Sequence, residues 1–335
     1  MPMYSAGSMQ IEWPTSVPLA PPIKAPQGIP LIPPTYSADK NIIKHCKEDH
    51  LPATGRTIRI GSLYEYRGIE NRFIQDSGEG TFSLLVNFSE PTVSSLANLR
   101  SATLGTIPAV TGEQLYCSNY TIFQGARTTG TVSGHTQRLK IEHSCDGNVK
   151  ASGSLHIASE IADCYILCFT YNDENTRTIQ DPAYNSFWTL PKENIFNISD
   201  LISCYLANEF KMGRCFTRNH IGSMGIPPFT LPRIDDFSFG IRHSVHDIIY
   251  RERLININET LLDENVYEIT NYIDNSPLIK PLKFRREREV RFIFQPFLLD
   301  NRTNLKYLPP YKLQTKYMPC DTLLPFIGDA GYIDI

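Results

Sequence analysis

The chain has 335 residues, 41% of them hydrophobic and 20% charged, and its 32 Lys plus Arg against 35 Asp plus Glu leave a net charge of −3. That balance argues against a polycation gripping nucleic acid through its phosphates, and no run reaches the roughly 18 apolar residues of a membrane-spanning helix. The opening residues lack the basic-then-apolar pattern of a secretion signal, so a cytoplasmic protein without membrane contact is expected.

Residues 1–35 hold nine of the 24 prolines and only two charged residues, Glu12 and Lys24. Proline removes backbone donors and drives its neighbours to extended geometry, which predicts a flexible proline-rich tail. The rest, 36–335, reads as one domain. A helix is expected from Ala38 to about Cys46, ending before Pro52. Thr57–Leu63 alternates as a strand, and a short helix follows over Tyr64–Ile74. Phe82–Phe88 (FSLLVNF) reads as a buried strand.

The 115–160 stretch is dense in Thr, Ser and Gly between alternating apolar residues. It predicts antiparallel strands with turns at Gly125, Gly130, Gly134 and Asp146-Gly147, and 105–160 is a candidate strand-rich insertion. Asp163–Tyr171 is the most apolar strand. A helix over Asp200–Glu209, a Gly/Pro loop over 213–233, a strand over Asp247–Ile257 and a helix over Glu259–Ile273 precede a strand at Arg288–Phe294. The class is α+β with predominantly antiparallel sheet.

Three constellations carry possible chemistry. In Arg285–Phe294 (RREREVRFIF), strand alternation places Val290, Phe292 and Phe294 on one face. Glu289, Arg291 and Ile293 lie on the other, and Glu287 joins them if the strand starts early enough. Paired carboxylates beside a guanidinium suit a hydrogen-bonding platform in a cleft; they also suit a charged strand entrance. The second is Tyr64, Tyr66, Arg67, Glu70, Arg72, Asp76 and Glu79, where rings can stack on a base and guanidinium groups can hold phosphate. The third is Cys168-Phe169-Thr170 with Ser186-Phe187-Trp188 behind it.

Other signals are weaker. The eight cysteines show no CxxC spacing, so a zinc site is not expected. His243 and His246 lack a nearby third ligand. Neither GxxxxGK[ST], GxGxxG, GxSxG nor HExxH occurs.

The order of Ile58–Gly80, then Cys168–Thr170 and Trp188, then Glu287–Arg291 resembles a bacterial family of unknown-function domains. That family has an L-x-x-Y segment, a C-F-S strand with a following W, and a late E-x-E-x-R strand. The layout is in turn similar to mono-ADP-ribosyltransferases. This resemblance implies a split antiparallel sheet that clamps NAD, with a role in bacterial defence or toxicity. It implies Glu289 as the carboxylate on the nicotinamide ribose and Glu287 as the group that orients the acceptor, a protein or nucleic acid. It further implies Thr170 as the middle-strand hydroxyl and Arg59 or Arg67 as the early cation, with Tyr66 and Trp188 lining the nucleotide. The middle motif here is CFT where the transferases have STS. Three other readings remain open: a non-catalytic nucleotide-binding sensor, a magnesium-dependent nuclease using Asp76, Glu79, Glu287 and Glu289, and a structural or interaction protein with the proline-rich tail as its adaptor.

Overall fold

The structure is a computed structural model. It describes residues 40–67, 76, 78–95, 115–126, 130–143, 148–171, 184–215, 237–258, 275–300, 305–306 and 312–332. The proline-rich tail, the 68–74 part of the expected helix, the Asp146-Gly147 turn, most of the 213–233 loop and the 259–273 helix lie outside the described residues.

In chain order come β1 (Ile42–Cys46), the one-turn helix α1 (Pro52–Gly55), β2 (Thr57–Ser62) and α2 (Leu63–Arg67). Four long strands follow: β3 (Thr81–Ser95), β4 (Leu115–Ala126), β5 (Gly130–His143) and β6 (Asn148–Ile161). Then come β7 (Tyr165–Tyr171), β8 (Ser186–Leu190), α3 (Ile195–Lys211), β9 (Phe237–Asp247), β10 (Ile249–Tyr250) and β11 (Leu254–Asn258). The chain closes with β12 (Ile279–Lys280), β13 (Glu289–Asp300), β14 (Leu305–Lys306), β15 (Lys316–Pro319) and β16 (Ala330–Tyr332).

A nine-stranded sheet runs β14-β13-β7-β1-β8-β16, with β9 also on β13 and the β2–β15 pair attached to β7. All its pairs are antiparallel. A five-stranded sheet runs β11-β3-β6-β5-β4, antiparallel except where β11 lies parallel to β3. The fold is therefore α+β and predominantly antiparallel.

Alternation explains where the core lies. Tyr165, Leu167, Phe169 and Tyr171 of β7 share a buried cluster with Val290, Phe292 and Phe294 of β13 and Ile58 and Ile60 of β2. Residues with every second side chain apolar cover one sheet face. The lid on that face is α3, whose Ile195, Ile198, Ile202, Leu206 and Phe210 recur at helical spacing and are buried. In the second sheet Phe82, Leu84, Val86 and Phe88 alternate inward along β3.

One edge of β7 is divided. Near its start, Gly61 and Ser62 of β2 pair with Ile166 and Tyr165; near its end, Ile42 and Ile43 of β1 pair with Tyr171 and Thr170. Between them the edge passes from one strand to the other, and Lys44 Nζ donates to the Cys168 carbonyl at 2.8 Å. A side chain thus occupies a backbone ladder position.

Four expectations need correction. Ile42–Cys46 is strand β1 and not the end of a helix, because β7 and β8 offer it ladders on both edges and tertiary pairing overrides a weak helical preference. Gly125 and Gly134 are not turns; they pair with Val132 and Phe123 inside the β4–β5 ladder. The expected strand over Asp247–Ile257 is broken into the end of β9, β10 and β11, because this segment leaves β13 to pair first with β12 and then with β3. Finally, β13 begins at Glu289, so Glu287 is not in the strand but in a 3₁₀ turn over Leu282–Glu287. Arg288 between them is left-handed at φ 45° and ψ 48°.

Candidate functional site

On β13 the apolar face is buried in the core, while Glu289 and Arg291 face the opposite side and are 5% and 1% exposed. Cross-strand register puts Thr170 of β7 beside Glu289, and Cys168 beside Arg291. A carboxylate and a guanidinium sealed from water require partners, since unpaired burial of either costs several kcal/mol.

Those partners are present. Arg291 Nε and Nη2 lie 2.8 and 2.6 Å from Glu289 Oε1. Arg291 Nη1 bonds Glu79 and donates to the Pro277 carbonyl. Lys280 Nζ, on β12, lies 2.8 Å from Glu289 Oε2 and 2.5 Å from Glu287 Oε2. The backbone N–H of Glu289 donates to Tyr250 Oη at 2.7 Å. Behind this, Arg253 grips Asp76 through both terminal nitrogens, reaches the Ile279 carbonyl at 2.6 Å and passes Glu79 at 3.9 Å. Asp76, Glu79, Glu287 and Glu289 thus face Arg253, Lys280 and Arg291.

Four carboxylates against three cations leave one negative charge too many, and the acidities divide accordingly. Burial would raise Glu289, but Arg291 and Lys280 more than reverse it, so its carboxyl falls well below the usual range. Glu287 moves the other way: burial and the neighbouring Glu289 charge outweigh Lys280 and lift it to about 7. Burial likewise raises Glu79 against the pull of Arg291 and Lys280. The result is a fixed anion next to a carboxyl that exchanges its proton near neutrality.

The candidate residues expected from the sequence separate into two groups. Arg59, Tyr66 and Thr170 come to the Glu289 side. Arg59 sits over the Tyr66 ring at 5.8 Å and pairs with Glu65 at 3.1 Å. Burial holds the Tyr66 hydroxyl far above its ordinary value, with Cys168 and Glu289 adding to that effect. Among the described residues the buried Thr170 hydroxyl oxygen has no hydrogen-bond partner. Gly61 makes room for Tyr66: a Cβ there would fall 2.5 Å from the ring.

Arg67 reaches the cluster by another route, through Glu79, and Trp188 does not join it. Arg67 donates to the Glu79 carbonyl and pairs with Glu160, tying α2 to the second sheet. Trp188 is 1% exposed within the apolar core and stands edge-on to Phe169 at 5.1 Å, so packing explains it and a nucleotide wall does not.

Lys280, Arg253 and Lys44 were not singled out in the sequence. Lys280 carried one signal, a lysine inside the apolar, proline-flanked run Pro277-Leu278-Ile279-Lys280-Pro281. The structure puts the metal candidates to other uses. Three residues apart on β9, His243 and His246 point to opposite faces, and His243 bridges Ser199 at 2.8 Å and Asp200 at 2.9 Å. Among the described residues no group of three or more His, Cys, Asp and Glu is placed to hold a metal ion. Comparison with family models, curated proteins and solved structures gave no match.

Proposed function

We propose that the Lys280-bridged carboxylate pair acts on the nicotinamide–ribose bond of NAD, in the manner of a mono-ADP-ribosyltransferase. The observation that carries this reading is the split in behaviour of two carboxylates on one ammonium: Glu289 stays ionised and Glu287 titrates at about 7. Pairs of acids driven apart by their surroundings mark acid–base division of labour. As nicotinamide leaves with the bond electrons, positive charge grows on the ribose, and a preorganised anion at Glu289 stabilises it. Glu287 takes the proton of the attacking nucleophile on an acceptor protein or nucleic acid. Arg59 and Tyr66 at the divided edge of β7 offer a guanidinium and a ring to the nucleotide, and the Thr170 hydroxyl, without a partner among the described residues, offers a donor.

One observation favours a second reading, a nucleotide sensor without turnover. Both oxygens of Glu289 are already occupied, by Arg291 and Lys280, and the residue is 5% exposed. Incubating the protein with nicotinamide-labelled NAD and cell lysate separates the two. Nicotinamide release supports transfer. A thermal upshift with NAD but no release supports the sensor, and neither response removes the nucleotide reading altogether.

A further inference from the structure

The 3₁₀ turn that carries Glu287 also concentrates positive charge: of the six residues Lys283–Arg288, four are cationic. Phe284 anchors the turn. It is 7% exposed, its N–H donates to the Pro281 carbonyl at 3.0 Å, and the Lys280 and Lys283 ammonium groups stand 4.8 and 4.7 Å from its ring centre. Around that anchor Lys283, Arg285 and Arg286 are exposed. In a 3₁₀ turn residues three apart eclipse, so Lys283 and Arg286 stand in one row, about 6 Å apart along the axis. Arg288 ends the turn over the Tyr171 ring at 5.6 Å, and Lys40 approaches the same ring at 5.4 Å. Asp247, which accepts from the Tyr171 hydroxyl, answers Arg288 and Lys40. The ion pairs among the described residues include none with Lys283, Arg285 or Arg286. Glu287 closes the turn, with 29% of its side chain exposed.

We infer that the acceptor is a single-stranded nucleic acid, its phosphates held along this basic turn and one base presented to Glu287. The inference rests on the transfer reading above and names the acceptor class which that reading leaves open. Guanidinium forks match phosphate oxygens in pairs, and clustered cations gain further from the counterions a polyphosphate chain releases. The net charge of −3 excludes such a grip over the whole surface but not over one turn. Depth selects the single strand. Glu287 is recessed beside the buried Lys280, and a base stacked in a duplex reaches such a group only by leaving the stack. In the transfer step a nitrogen or oxygen of the base bonds the ribose carbon as nicotinamide leaves with the electrons of the broken bond. The proton of that nucleophile passes to Glu287, and nothing is oxidised or reduced.

The probes are short fluorescein-labelled single strands of DNA and RNA, with poly-glutamate as the competing polyanion. Anisotropy with the full chain and no NAD measures binding between about 50 and 200 mM salt. Contacts from three or four cations predict a loss of about 20- to 50-fold over that range, at about −0.7 in the logarithmic slope per phosphate. Replacing Lys283, Arg285 and Arg286 together by Gln should weaken binding about tenfold or more at the lower salt. With NAD labelled in its adenylate phosphate, label is expected on the single strand and not on lysate protein. The triple variant should lose that transfer while releasing nicotinamide to water as before. Salt-independent binding, equal binding by the triple variant, equal competition by poly-glutamate or label on protein alone each overturns the inference. Absence of any nicotinamide release sinks the transfer reading and the acceptor role with it, while the salt slope of the unaltered protein still decides whether the turn holds a nucleic acid.

Discussion

Glu287 and Glu289 are two residues apart and touch the same ammonium, yet one is part-exposed in a turn and the other is sealed in a strand. The left-handed Arg288 between them makes this possible: it turns the chain so that both carboxylates reach Lys280 from different elements. Because Glu289 also anchors Arg291, Glu289→Gln is expected to cost about 3–5 kcal/mol through the cations it leaves uncompensated. The cleaner test of chemistry is Glu287→Gln, which should lower kcat/KM for NAD by about 10²–10⁴ as expected for loss of a general base, with an unchanged circular dichroism spectrum. In the parent protein kcat/KM should rise with pH through about 7, and that limb should vanish in the variant. The effect on stability has the opposite sign. Glu287 rises from 4.5 to about 7 and Asp163 from 3.8 to about 6, chiefly through burial. Over that window the folded protein keeps protons that the unfolded chain has released, so stability falls as pH rises from about 4 to about 7. Urea unfolding at successive pH values measures the slope, and Glu287→Gln should flatten it.

At the scale of elements, the start and the two faces of β13 were legible within one residue, but its end was not: the strand runs on past Phe294 to Asp300 along β9. Strict alternation in Glu289–Phe294 assigned the core and site faces, because the pleat leaves no other option. β7 was legible for the same reason. The partition of β7's edge between β1 and β2 was not, since pairing partners more than a hundred residues away leave no local trace. The same is true of Ile42–Cys46, whose strand state depends on two ladders contributed from β7 and β8. Gly61 shows how that divided edge is shaped: its missing side chain admits the Tyr66 ring. Gly61→Ala is expected to displace Tyr66 and cost about 1–3 kcal/mol from overpacking, with tyrosine fluorescence and thermal unfolding as the measurements. In the second sheet Gly153 adopts φ +103°, and a Cβ there would lie 2.2 Å from the Arg138 carbonyl oxygen. It stands where the β5–β6 register shifts, so Gly153→Ala should destabilise that bulge.

For the whole molecule, the decisive feature is that charged side chains cross between the sheets. Glu79 and Asp76 precede β3 of the five-stranded sheet. They meet Arg291 of the nine-stranded sheet and Arg253, which stands just before β11. Such buried pairs add little net stability but are costly to break singly. Arg253→Ala should therefore lower stability by about 3–5 kcal/mol, whereas replacing Arg253 and Asp76 together by apolar residues should recover much of the loss. Chemical denaturation of the single and double variants gives that comparison. The sequence by itself determined the α+β class, the antiparallel bias, the two faces of β13 and β7 and the candidacy of Glu287 and Glu289, because period-two alternation and local charge are written in adjacent residues. Only the tertiary structure decided that Lys280 joins the two carboxylates, that Arg67 is tied to the Glu79 backbone while Arg59 pairs with Glu65, and that Trp188 belongs to the core. Each of these depends on burial and on partners brought together across the chain, and it is desolvation and distance, set by the fold, that fix what a charged side chain can do.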